Sequence, residues 1–173
     1  ALFKGVGAIA AMYGSPAERT VSDVDVLVDG ANAAAVGAVL AECGFMPEAP
    51  RDPRRQANVV RFRLPNRAVV YRKGDIEVDV HTRLGRTGPE RLATDALLDR
   101  RRPASLLGRV VHVLDPVDAV LATAHHSLRD RFAPISTIKD LADQASTLAR
   151  FDDHRLRELA DAAEAAALRV PLA

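Results

Sequence analysis

Two short runs constrain this chain more than anything else in it, because each sets acids at alternate positions of an otherwise apolar segment. The first is Ser22-Asp23-Val24-Asp25-Val26-Leu27-Val28; the second is Asp75-Ile76-Glu77-Val78-Asp79-Val80-His81. Successive side chains of a strand point to opposite faces, so Asp23 and Asp25 share one face while Val24, Val26 and Val28 pack on the other. In the second run Asp75, Glu77, Asp79 and His81 fall on one face, with Ile76, Val78 and Val80 on the other. Like charges at that spacing repel, and a divalent cation with open coordination positions relieves the repulsion. Carboxylates from two adjacent strands can hold two such ions, Mg²⁺ or Mn²⁺. Since the Asp23/Asp25 pair is repulsive, either aspartate should be removable without loss of the fold.

A chain of 173 residues with 48% hydrophobic content can bury a core in one domain, or in one domain with a small helical appendage. The one cysteine, Cys43, excludes a disulfide framework and a cysteine zinc site; it is expected to pack at a helix end in a reducing compartment. No apolar run nears the roughly 18 residues a membrane span needs, and no basic-then-apolar leader is read within the sequence. A soluble cytoplasmic protein, with no membrane partner, is the expectation. Net charge is +1, yet residues 51–73 hold eight Lys or Arg against the single acid Asp52. That run attracts polyanions such as RNA, or is a solvated arginine face, with Phe62 and Tyr71 the only stacking candidates. Arginine greatly outnumbers the lysines Lys4, Lys73 and Lys139, a pattern of GC-rich coding.

Along the chain, Ala1–Lys4 reads as a strand and Val6–Tyr13 as a helix ending at Gly14. Residues 31–42 read as an Ala-rich helix anchored by Val36, Val39 and Leu40, with Gly44 as its left-handed cap. Pro47–Arg55 reads as loop, Asn58–Leu64 and Ala68–Arg72 as strands, and Lys73-Gly74 as a tight turn that brings Asp79 beside Asp25. A helix from Pro89 to Leu98 and an exposed Arg100-Arg101-Arg102 linker follow. After a strand at Val110–Leu114, Asp115-Pro116-Val117-Asp118 supplies a cap, a first-position proline and a first-turn acid. Helices near 116–129, 135–149 and 153–168 then form a small bundle. This gives an α/β (α+β) chain with a catalytic domain at 1–114 and a helical subdomain at 115–173, with a cleft between them.

His125-His126 is a poor metal site, because adjacent helical residues point about 100° apart and no His-Asp dyad accompanies them. One of the two should face the core and the other the cleft or solvent.

Lys4-Gly5, Arg19, Ser22-Asp23-Val24-Asp25 and Val78-Asp79-Val80-His81 together resemble the motifs of the DNA polymerase β-like nucleotidyltransferases over residues 2–145. They are most similar to a bacterial, largely uncharacterised branch with toxin-like and antibiotic-modifying relatives. That branch has Lys-Gly in place of Gly-Ser, and a His two residues after the third carboxylate. The resemblance implies a mixed sheet flanked by helices, with Asp23, Asp25 and Asp79 as the catalytic and metal-binding carboxylates. Asp79 is taken as the third carboxylate over Glu77, on its face, because His81 follows it by two.

The resemblance further implies that Lys4, Gly5, Ser22 and Lys139 bind a nucleoside triphosphate such as ATP. Arg19 and His81 are candidates for acceptor or phosphate contact. Lys4 can instead pair with a site acid, His81 can be a structural hydrogen-bonding residue, and Lys139 a solvated one. Val6 stands where the broader superfamily has Gly or Ser, so Ser22 or the amides near Gly5 and Gly7 are expected to take over phosphate contact. Since residue 1 already lies at the Lys-Gly motif, an upstream helix is expected before it. Acceptors among such relatives include the 3′ end of transfer RNA, small molecules and proteins, and toxin-like relatives imply a cognate antitoxin protein. The rival from another class is a catalytically silent nucleotide- or protein-binding module.

Overall fold

The computed structural model describes residues 1–13, 15–48, 68–84, 92–129, 134–166 and 168. In chain order these form β1 (Leu2–Phe3), α1 (Lys4–Met12), β2 (Val24–Leu27), α2 (Ala33–Glu42), β3 (Met46–Pro47), β4 (Val69–Lys73) and β5 (Ile76–His81). There follow α3 (Thr94–Asp99), β6 (Arg102–Leu106), β7 (Arg109–Val113), α4 (Pro116–Arg129), α5 (Pro134–Leu148) and α6 (Asp153–Ala165). Short 3₁₀ turns at Pro16–Glu18 and Gly30–Asn32 precede β2 and α2.

The strands make one seven-stranded mixed sheet in the order β3-β4-β5-β2-β1-β7-β6. At its centre β2 runs parallel to β5, with Asp25 opposite Asp79 and Leu27 opposite His81, and antiparallel to β1, with Phe3 opposite Asp25. The β4–β5 hairpin turns at Gly74, whose φ of +57° suits glycine, so the expected delivery of Asp79 beside Asp25 holds. The apolar alternation also holds. Val24, Val26, Val28, Val78 and Val80 pack under Val36 and Leu40 of α2, while Phe3 and Leu27, on the face of Asp25, pack with Leu97, Leu114, Val117, Leu121 and Leu168. Each such side chain, buried, contributes about 1.5–3 kcal/mol, so the acid-bearing strand is held from both sides. One core cluster joins the sheet to α4 and to residues after α6.

Several expectations need correction. Asp23 lies one residue ahead of β2, and Asp75 sits exposed in the hairpin turn with Ile76 exposed beside it. Val39 faces solvent rather than anchoring α2. Cys43 does end that helix, but exposed; Gly44 follows at φ +85° as expected. The linker at Arg100-Arg101-Arg102 is more ordered than its charge suggests. Arg100 donates to buried Asp118 through Nε at 2.9 Å, and Arg102 opens β6, an edge strand where Pro103 is tolerated. The strand at Asn58–Leu64, the helix start at Pro89 and Gly14 lie outside the described residues, while α1 starts two residues before the expected Val6 and ends at Met12, with Tyr13 extended as its cap. The start of α4 is as read: Asp115 accepts the amide of Val117 at 2.9 Å and also pairs with Arg102 and Arg155.

Candidate active site

Asp25 is the buried centre of the acidic face, with 2% of its surface exposed. One of its oxygens, Oδ1, receives two cationic or polar partners at once: Lys4 Nζ at 2.8 Å and His81 Nε2 at 2.8 Å. Burial pushes the Asp25 carboxyl up, but the His81 hydrogen bond and the Lys4 ammonium outweigh it and hold the group below the usual carboxylate range. The His81 ring is set by an edge-on contact with Phe3, ring centres 5.1 Å apart. Lys4 reaches Asp25 from the first residue of α1 at φ +52°, a left-handed conformation that costs a non-glycine residue roughly 1–2 kcal/mol.

Asp79 has the opposite character. Its Oδ1 is buried with no hydrogen-bond partner among the described residues, and burial together with the neighbouring Asp25 charge raises its carboxyl to about 6. An orphaned carboxylate oxygen beside other acids is the donor arrangement a hard divalent cation satisfies. Two compact ligand sets exist among the described residues, Asp25-Asp79-His81 and Asp23-Glu77-Asp79, each with its ligand atoms within 4.8 Å of one another. Asp79 is common to both. The residues therefore fit a divalent metal, and Glu77, which shares the strand face with Asp79, joins the set although alternation alone could not choose between them. Arg72 binds Glu77 through Oε2.

Beside the acids lies a cavity of about 200 Å³ that gathers most of the expected residues. Lys4, Gly5, Arg19, Ser22, Asp23 and Asp25 line it from the sheet side, and His126, Lys139 and Asp140 from the helical side. Ser22 Oγ donates to Asp23 Oδ1 at 3.0 Å. Gly5 is dictated by packing, because a Cβ there would meet Val21 Cγ1 at 2.7 Å. Arg19 is engaged on Asp143 of α5, with Nη2 3.0 Å from Oδ2, and Tyr13 donates its hydroxyl to Oδ1 of the same aspartate at 2.8 Å. Of the histidine pair, His125 is buried, while His126 faces the cavity and lies 3.3 Å from Asp140 Oδ2. Asp140 and Asp143 escaped sequence reasoning because acids on an amphipathic helix read as its solvent face; only their burial marks them. A larger cavity of about 290 Å³, walled by Gly7, Ala8, Ala11 and Phe151, contains none of Asp23, Asp25 or Asp79.

The model of the uncharacterised nucleotidyltransferase family matches residues 1–173, the whole chain. The chain belongs to that family. It is thus a nucleotidyltransferase enzyme, as the paired acidic strands and Lys-Gly motif implied. The solution structure of the antibiotic-resistance factor ANT(2'')-Ia is similar to this nucleotidyltransferase with a TM-score of 0.60 over 96% of this chain and 83% of that one. At 14% identity that likeness bears on the fold: a mixed sheet flanked by helices and followed by further helices. No curated protein matches the sequence significantly. Among the described residues no helix is long and apolar enough to cross a membrane.

Proposed function

We propose that this enzyme transfers a nucleoside monophosphate from a nucleoside triphosphate to an acceptor hydroxyl, in a reaction that depends on Mg²⁺ or Mn²⁺ held by Asp23, Asp25 and Asp79. The observation that carries the reading is the facing of Asp25 and Asp79 on adjacent parallel strands, with an orphaned Asp79 oxygen. A divalent ion bound there supplies charge neutralisation for the phosphates and lowers the pKa of the attacking hydroxyl. Lys4, Lys139 and the first amides of α1 around Gly5, which have no intrahelical partner, offer positive charge and donors to the triphosphate, with Ser22 beside them. Arg19 and His81 hold the loop and Asp25 in place around it. The acceptor oxygen attacks the α-phosphorus in line, its proton passes to Asp79, the bond to the β-phosphate breaks and pyrophosphate leaves. The protein contributes chiefly position and field. Intact Asp23, Asp25 and Asp79 argue against a catalytically silent module.

For the acceptor we favour the 3′ end of transfer RNA, on the strength of the basic run 51–73, most of which lies outside the described residues. Such an enzyme acts in the cytoplasm, arrests growth and calls for a restraining antitoxin protein. A small-molecule acceptor is the second reading, favoured by the fold likeness to an antibiotic-resistance factor. The test offers each of the four α-³²P-labelled nucleoside triphosphates with Mg²⁺, with and without total transfer RNA. Label at the RNA 3′ end supports the first reading, and replacing Arg54, Arg55 and Arg61 by Ala should then weaken RNA binding and flatten its salt dependence. Label that never enters RNA, or an unchanged salt slope, discards the RNA acceptor and leaves the small-molecule one.

A further inference from the structure

The larger cavity, of about 290 Å³, is walled by α1, α4, α5 and the turn that leads into α6. Both α1 and α4 present short side chains to it, Gly7, Ala8, Ala11 and Ala119, with Phe151 beside them. Voids much larger than a water molecule are few in a protein interior, and an apolar void forfeits contacts that an occupant restores. Two polar groups on this wall lack the partner their chemistry calls for. Thr123 of α4 is 6% exposed, and its hydroxyl has no hydrogen-bond partner among the described residues, a costly state for a buried donor. Arg150 is the other. Of the charged wall residues, Lys4 is bound to Asp25, Arg102 and Arg155 to Asp115, and Asp143 to Arg19. Arg150 donates from Nη2 to the Met12 carbonyl at 3.0 Å and has no carboxylate partner among the described residues.

We propose that this cavity is a binding site for a small molecule that joins a compact apolar body to one carboxylate, the body lying against Ala8, Ala119 and Phe151 and the carboxylate on the Arg150 guanidinium. Size sets the body: an apolar cavity of about 150 Å³ takes up benzene, so one of about 290 Å³ suits a bicyclic ring. Charge sets the head group, because a guanidinium pairs a carboxylate through two parallel hydrogen bonds, and Arg150 is the one wall cation with no counter-charge among the described residues. The cavity holds none of Asp23, Asp25 or Asp79. This ligand is therefore neither the nucleotide nor the acceptor of the transfer proposed above, and the site stands whether or not that reading does.

The chain contains no tryptophan, so the emission of indole-3-acetate, excited beyond the tyrosine band, reports the probe's surroundings alone. On titration with the full chain the emission should move to shorter wavelength and saturate. Indole-3-acetate should bind about 10- to 100-fold more tightly than the neutral indole-3-acetamide, the range that a hydrogen bond to a charged group contributes. Arg150→Met should erase that preference. Ala119→Leu, which fills the cavity, should abolish binding of both probes, with Ala11→Leu filling it from α1 and circular dichroism confirming each fold. ATP with Mg²⁺ should not displace the probe. The proposal is overturned by an emission that does not shift, by equal affinity for acid and amide, by a preference that Arg150→Met retains, or by undiminished binding in a folded filling variant. Displacement by ATP overturns it as well, because it puts the probe in the nucleotide cavity.

Discussion

Asp79 ties the chemistry of the site to the pH dependence of the whole protein. Its carboxyl is raised from 3.8 to about 6 by burial and by the Asp25 charge, so the folded state binds this proton more tightly than the unfolded one. The stability it contributes is present below about pH 4 and is lost as pH rises through about 6. The metal-free enzyme should therefore melt at lower temperature at pH 7 than at pH 5 on account of this group. Asp79→Asn should raise the pH 7 melting temperature, remove that part of the slope and abolish the stabilisation that Mg²⁺ gives wild type. Scanning fluorimetry across pH 4–8 with and without Mg²⁺ reads all three, and a variant that melts like wild type at every pH contradicts the assignment. Asp25 behaves oppositely, because it is a buried anion already bound to Lys4 and His81. Removing it strands two partners, so Asp25→Ala should cost about 3 kcal/mol in urea unfolding, while the half-buried Asp23→Ala should cost little. This corrects the expectation that either member of the pair is dispensable to the fold. Alternation made Asp23, Asp25 and Asp79 legible. It left open whether Lys4 meets phosphate or acid, because a long flexible side chain reaches either, and could not rank Glu77 against Asp79 on one face.

The elements that carry the site were the readable part of the fold. β2 and β5 follow from period-two alternation, and α4 from the Asp115-Pro116 start, since both signals are local. What was missed carries no such pattern: β6 lacks β-branched residues and contains Pro103, and β3 is two residues long, so only the strands they pair with, β7 and β4, define them. Gly5 offers a test at this scale. A methyl group there would lie 2.7 Å from Val21 Cγ1, and a β-branched side chain has little rotameric freedom to yield. The segment Val21-Ser22-Asp23 must shift instead. A displacement of about 1 Å at a reacting centre can cost about 100-fold in rate, so Gly5→Ala should lose activity on that scale with little change in melting temperature. Full activity in Gly5→Ala would show that the position of this loop is not critical.

The molecule as a whole works by closing helices onto a sheet. Asp143 of α5 accepts from Tyr13 and Arg19, with the Arg19 and Asp143 side chains only 11% and 8% exposed, so it pins α5, and with it Lys139, over the cavity. Asp143→Ala leaves Arg19 buried without its carboxylate, and should cost about 3 kcal/mol of stability and weaken nucleotide binding together. Asp143→Ala with wild-type stability and nucleotide affinity would mean that the clamp does not hold the cavity. A helical segment after residue 115 was legible from its periodicity, but its apposition to α1 was not, because Asp143 meets Tyr13 across 130 residues of sequence. The central claim is that these assembled carboxylates drive nucleotidyl transfer, and pyrophosphate release measures it most directly. With Mg²⁺, at least one of the four nucleoside triphosphates and either total transfer RNA or a small hydroxyl acceptor, wild type should release pyrophosphate. EDTA should stop the release, and Asp79→Asn should lower it by about 100- to 10,000-fold. Release at the wild-type rate by Asp79→Asn, or release that EDTA leaves untouched, would contradict the account.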